Sequence, residues 1–335
     1  MSYQRVARPK FYINYFEYIS KFETYPAFYE PMGVYYKADL SRWRTLPVEP
    51  GLWGTAALDW LGQPAAVENG ATNFPAITFQ FVMLLGHNMK TRDAGIRITT
   101  QTGFGTATIT PVVNGGSDGG DGNNHFFPDY NGFSLWSCST TVNQFGLSTH
   151  SNTNTTGIDV GSIIVGSTYE MPHSPDLKLT MTREMDGVRR VRTKGGADLV
   201  DYRHTKPAMW GSAAAWELYS ETPVNQELAR SGRRTWSMSW SYLQDSDVFP
   251  DLSNVGHYGV YDSYDDSWAK TLLTDSNFFS QVVNRTNGGQ IAFAFQPDKD
   301  DFTNFAICKL DMESFQFKQV ANGVYNVKLK IREVW

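Results

Sequence analysis

Hydrophobic and polar residues alternate with a period of two along much of this chain, a period that marks half-buried strands rather than helices. The last stretch is the clearest. Tyr325, Val327, Leu329 and Ile331 share one face of an extended segment, while Lys328, Lys330 and Arg332 share the other. Before it stand SFQFKQVA and Asn322-Gly323, a dipeptide suited to the two positive-φ positions of a type I′ turn, so a terminal hairpin is predicted. A second hairpin is read from LKLTMTREM, Asp186-Gly187 and VRRVRTKGG, in which Leu177, Leu179 and Met181 alternate with Lys178, Thr180 and Thr182. In RRTWSMSWSYL, Trp236, Met238, Trp240 and Tyr242 fall on one face and Ser237, Ser239 and Ser241 on the other. Further strands are predicted in FPAITFQFVMLLG, GIRITTQTG, TATITPVVN, GSIIVGSTYEM and QIAFAFQPD.

Helical signals are few. Phe278, Phe279, Val282 and Val283 form a narrow apolar stripe over Asp275 to Asn284, with Asp275 or Ser276 as N-cap and Asn287-Gly288 as the stop. The segment FYINYFEYISKFE suits a helix or a strand equally. NGGSDGGDGNN at 114–124, with five glycines in eleven residues, reads as a flexible excursion, and THSNTNTTG at 149–157 as a polar loop. No repeat of fixed period is visible. Strands separated by turns, without alternating helices, predict an all-β fold of the sandwich or barrel kind.

Composition narrows the function classes. Aromatic residues make up 14% of the chain, a proportion suited to sheet faces and contact surfaces. A formal charge of −5 argues against nucleic-acid binding. The absence of a long apolar window argues against a membrane-spanning helix, and the basic start MSYQRVARPK, without an apolar core, points to synthesis in the cytoplasm. Cys138 and Cys308 both lie in strand-like runs. A disulfide between them is arithmetically allowed, but two buried thiols are the expectation for a cytosolic product.

No nucleophile elbow, HExxH, P-loop, GxGxxG or CxxC occurs, so no catalytic residue, metal ligand or cofactor is expected. His87, His125, His150, His173, His204 and His257 stand singly and read as loop or packing residues. The acidic groups Asp118 with Asp121, and Asp262 with Asp265 and Asp266, are the places a calcium ion would be sought, and solvated loops are the simpler reading. Trp136 and Tyr130, beside the glycine loop, are the candidate glycan contacts. Arg189, Arg190 and Arg192, together with Tyr35 and Trp43 of the proline-punctuated N-terminal region, are the candidate subunit contacts.

Two blocks resemble proteins of phage tails. ITFQFVMLLGHNMKTRDAGIRITT and GSIIVGSTYEMPHSPDLKLTM are similar to the jelly-roll, galectin-like modules of tail-tip and fibre proteins. Across 216–335, the succession GRRTWSMSWSYLQDSDVF, FFSQVVNRTNGG, IAFAFQPD, FAICKLD and VYNVKLKIREVW resembles the sheet-helix-sheet core of tail-tube and distal tail proteins. In the typical member the ring domain comes first, whereas here the tube-like block comes last.

The resemblance implies an N-terminal arm and cover (1–60), a jelly-roll sandwich (61–210) and a tail-tube-like β domain (211–335) with its helix near 275–286. It implies a non-enzymatic virion protein of the tail, a hexameric ring linking the tube to the adsorption apparatus, with tube and hub proteins as partners and host surface glycan as a further one. The alternatives are a carbohydrate-binding receptor module and a capsid decoration protein; a glycan depolymerase would need two facing carboxylates.

Overall fold

The computed structural model describes residues 6–15, 18, 44–46, 79–101, 108–118, 125–142, 144–151, 158–184, 189–201, 209–210, 213–214, 233–249, 276–302 and 304–334. The fold is all-β, 54% strand against 8% helix, and every strand pairing in it is antiparallel.

Three sheets stack in layers. The outer one joins β6 (Ser117–Asp118), β7 (His125–Phe127), β4 (Ala94–Gln101) and β9 (Gln144–Ser151) in that order. The middle one runs β11 (Ser162–Gly166), β3 (Phe79–His87), β8 (Gly132–Val142) and β5 (Ile109–Val113). The large sheet runs β12 (Thr168–Glu170), β1 (Lys10–Tyr12), β19 (Phe293–Gln296), β20 (Ala306–Leu310), β22 (Val324–Glu333), β18 (Arg233–Gln244) and β13 (Thr180–Glu184), with β21 (Phe317–Ala321) also on β22. Three short ribbons are paired separately from these sheets: β2 (Arg44–Leu46) with β10 (Ile158–Val160), β14 (Arg189–Arg192) with β15 (Asp198–Asp201), and β16 (Met209–Trp210) with β17 (Ala213–Ala214).

β3, inside the middle sheet, is covered on both faces, which explains its unbroken apolar run Phe81 to Leu85: all five residues are buried. On one face Trp136 of β8 meets Phe126 of the outer sheet, ring centroids 6.0 Å apart. On the other, Phe81, Met83, Leu85, Leu135 and Ile164 pack with Tyr12, Phe305 and Ile307 of the large-sheet layer. The opposite face of the large sheet gathers Phe11, Trp236, Met238, Trp240, Phe293, Phe295, Leu329 and Ile331 against Phe278, Val282 and Val283. Adjacent residues of β1 therefore serve different layers: Phe11 lies 6.2 Å from Phe278, and Tyr12 lies 5.1 Å from Phe81.

Where the apolar stripe over 278–283 predicted a helix, the chain forms a π-helix, Phe279–Asn284. Asp275 lies outside the described residues, and Ser276 is exposed; the cap is Asn277, whose Oδ1 accepts the Ser280 N–H at 2.8 Å. The stop is as read, with Asn287 at φ 51° and Gly288 at φ 67°. FYINYFEYISKFE begins as strand β1 and continues into a helical turn, Tyr18 N–H bonding to the Asn14 carbonyl.

The terminal hairpin β21–β22 forms, but only Gly323 of its turn has positive φ (68°), and the ladder slips between Gln319 and Ala321; the turn is not type I′. The second predicted hairpin is re-paired. β13 joins β18 instead, and the arginine strand β14 turns back through 193–197 onto β15. In β18 a bulge after Trp240 puts Leu243 into the core where Tyr242 was expected; Tyr242, at φ 63°, is turned out to solvent.

The glycine segment at 114–124 is not an excursion at its start. A Cβ on Gly115 would lie 2.5 Å from Pro111 Cβ and 2.8 Å from the Trp136 indole nitrogen, and Ser117–Asp118 pair with β7. Likewise Thr149 to Ser151 belong to β9, with 152–157 outside the described residues.

GSIIVGSTYEM, read as one strand, is two. β11 ends in the middle sheet and β12 begins in the large one, the chain crossing layers at Gly166–Ser167. Gly166 allows this crossing because a Cβ there would lie 1.9 Å from the Ile13 carbonyl oxygen. Replacing Gly166 with Ala forces two backbones apart, and we expect a loss of about 2 kcal/mol or more, read as a lowered urea midpoint with an unchanged slope.

Candidate interaction surface

Among the described residues, some polar side chains are sealed inside the layers and others stand in solvent. A first sealed group is centred on Arg234. Arg234 and Glu333 occupy the core-facing parity of β18 and β22, each at a strand end, so their charges meet inside the protein. The guanidinium binds both carboxylate oxygens (Nη2 to Oε1 3.0 Å, Nε to Oε2 3.2 Å), and the Arg234 backbone N–H donates to Oε2 at 2.8 Å. Its remaining donors reach Asn304 Oδ1 at 2.8 Å and the Phe305 carbonyl at 2.7 Å, and its plane lies 5.2 Å from the Trp236 ring. A pair this buried tolerates the loss of neither partner alone.

His87 anchors a second sealed group, between the outer and middle sheets. The ring is fully buried, with Nε2 2.8 Å from Ser134 Oγ, which lies 2.6 Å from the Asn114 carbonyl. That carbonyl accepts only from a donor, so the serine proton points to it and Nε2–H donates to the serine. Nδ1 is then left to accept the Met89 N–H at 3.4 Å. Every position is filled by a neutral ring, and burial depresses the histidine to about 3. His87 is thus a packing histidine, as its isolation in the sequence suggested.

Arg285 closes a third group behind the π-helix. It donates to Ser167 Oγ at 2.8 Å and to Gln281 Oε1, and it lies 4.7 Å from the Tyr15 ring. Burial lowers it to about 10.

The candidate glycan contacts separate. Trp136 is 0% exposed, its Nε1–H donating to the Gly115 carbonyl at 3.0 Å, so neither ring face is open to a sugar. Tyr130 is 45% exposed on a turn held by Asn114, whose Oδ1 takes the Tyr130 N–H at 2.8 Å while Nδ2 donates to the Tyr130 carbonyl at 2.9 Å. Tyr35, Trp43, Asp121, Asp262, Asp265 and Asp266 lie outside the described residues. Asp118 is in β6, and among the described residues no three His, Cys, Asp or Glu side chains form a group able to hold a metal. Cys138 and Cys308 are free; Cys308 is buried, whereas Cys138 is only half-buried, and burial pushes its thiol up to about 12. Among the described residues no helix is long and apolar enough to cross a membrane.

Arg189, Arg190 and Arg192 are brought together on the exposed ribbon β14–β15. Arg189 stands opposite Asp201, Arg192 opposite Asp198, and Val191 opposite Leu199. The turn is fixed by Gly196 at φ 85° and by Thr193, whose Oγ1 accepts the Ala197 N–H at 3.0 Å. All but Asp201 in its two strands, including Val191, Leu199 and Val200, are exposed, and an isolated two-stranded ribbon gains little stability on its own. What this arrangement offers chemically is recognition: guanidinium groups interleaved with apolar side chains on a projecting arm. No family model, no curated protein and no solved structure matches the chain.

Two outcomes follow from the sealed groups. Arg234→Met or Glu333→Leu alone should cost about 3–5 kcal/mol, while the double variant should recover most of it, checked by a denaturation cycle. His87 is an ordinary base near 6.5 when unfolded and about 3 when folded, so the unfolded chain binds the extra proton. Its contribution is full above pH 6.5 and falls as pH drops toward 3, at up to about 1.4 kcal/mol per pH unit. His87→Gln should flatten that part of the stability profile.

Proposed function

We propose that the chain is a structural, non-enzymatic subunit of a phage tail tip, one that assembles into a ring between the tail tube and the adsorption apparatus. The observation that carries this reading is the succession β18, helix, β19, β20 and β21–β22 within a single sheet, the order of elements that gave the sequence its likeness to tail-tube and distal tail proteins. A rigid layered scaffold with a charged arm suits a component whose work is to hold neighbours in place. The middle and outer sheets support the expectation of a sandwich at the outward side, and Tyr130 remains the one described aromatic there with an exposed ring among the glycan candidates. Partners under this reading are further copies of the chain and the tube and hub proteins.

Electron cryomicroscopy of virions carrying a gold-labelled tag on this chain tests the reading. Density at the distal end of the tail is the expected result. Label on the capsid shell would instead favour a decoration protein, and absence from the particle would end the structural reading.

A further inference from the structure

Opposite in character to the basic ribbon is the bulge of β18. Tyr242 is 79% exposed there in a left-handed conformation (φ 63°), strained for a residue with a side chain and normally left to glycine. Asp176 ties the chain beside it to the bulged strand, accepting Ser239 Oγ at 2.8 Å and Ser241 Oγ at 2.9 Å. The next residue, Leu177, is left fully exposed. Immediately after the bulge comes a helical turn, α1 (Asp245–Val248), with Asp245 and Asp247 in its first turn. Asp247 is occupied in capping, its Oδ2 accepting the Gln244 N–H at 2.9 Å, whereas Asp245 is exposed while its carboxylate takes a hydrogen bond from the Tyr325 side chain. Leu177, Tyr242 and Asp245 are thus exposed on segments that meet at the bulge, and this knob carries two large apolar side chains and one exposed carboxylate.

We infer that the β14–β15 ribbon of one copy docks on the Leu177–Tyr242–Asp245 knob of a second copy. The proposal rests on the reading of the chain as an assembling subunit and names the contact it uses. Charge complementarity favours a second copy as the occupant. Residues 189–201 carry four basic and two acidic side chains, a net charge of +2, within a chain of −5, so the remainder carries −7. The guanidinium group of Arg189, on the same ribbon face as Val191 and Leu199, matches a phenol ring, on which it stacks, and a carboxylate, which it binds, while Arg190 and Arg192 on the other face add to the positive field. Val191 and Leu199, side by side on one face of the ribbon, match Leu177 and the Tyr242 ring. Donor and acceptor patches differ, so the contact is heterologous: repeated around an axis it closes a ring, and without closure it extends a filament.

Sedimentation velocity of the full chain over a range of concentrations, at low and high salt, tests this. The wild type should self-associate, less so at high salt. Arg189→Glu/Arg190→Glu/Arg192→Glu and, separately, Tyr242→Gly should each weaken association at least tenfold. Glycine accepts the backbone angle at 242, so that variant should keep the wild-type unfolding midpoint, which separates lost docking from lost folding. Adding Asp245→Arg to the reversed ribbon should restore part of the association. Association that persists unchanged in both variants overturns the ribbon contact and leaves the ring reading standing. A wild type that stays monomeric overturns self-docking, and labelled tails then assign the ribbon to another tail protein. Association lost in both variants, in a chain that is absent from tails, supports the contact and sinks the tail reading.

Discussion

Strand β3 of the middle sheet has no solvent face along Phe81 to Leu85, and the rest of the architecture follows from covering it. Residues Phe81 to Leu85 bury both sides of β3, at roughly 1.5–3 kcal/mol each, so their combined burial is on the order of 10 kcal/mol. A strand of that kind is stable only with a layer above and a layer below. One layer is the small outer sheet, met through Trp136 and Phe126. The other is the large sheet, met through Tyr12, Phe305 and Ile307. The large sheet then has an aromatic face of its own to cover, and the π-helix with Phe278 and Val282 does so.

Polar groups caught between such layers must be satisfied where they stand, because water does not reach them. Arg234 and Glu333 satisfy each other and recruit Asn304 and the Phe305 carbonyl. His87, Ser134 and Asn114 form a chain in which each donor faces an acceptor. These groups hold adjoining strands and layers in register. Among the described residues, exposed apolar and charged groups stand together on the β14–β15 ribbon and at the bulge of β18.

Much of the scaffold was legible in the sequence. Period-two alternation located β18, β22 and the buried face of each, and the apolar stripe located the helix with its Asn287-Gly288 stop. Pairing was less legible, since alternation reports which face is buried and not which strand lies alongside. Thus β13 and β14 read as one hairpin although each has a different partner. A bulge is likewise silent: Tyr242 keeps the parity of Trp240 on paper, and one extra residue turns it outward. Trp136 reads as a surface ring because it is placed beside a glycine-rich segment, yet Gly115 of that segment lies so close that a Cβ there would be 2.8 Å from its indole nitrogen. The Arg234–Glu333 pair had a readable signal that went unused. Both charges sit at core-facing positions of adjacent strands, where an unpaired charge is not tolerated.

β1 sits between β12 and β19, one strand in from the edge of the large sheet, and this threading sets a schedule for synthesis. Phe11 pairs with Tyr169 on one side and Phe295 on the other, and the Tyr12 hydroxyl bonds Gln296 across 284 residues of sequence. At roughly 5–20 residues per second, a ribosome needs about 15–60 s to make the second neighbour after the first strand has emerged. For that interval KFY is an aromatic segment without its sheet, and loop closure over such a span is slow. This three-residue strand therefore gains its second neighbour only once β19 has left the ribosome.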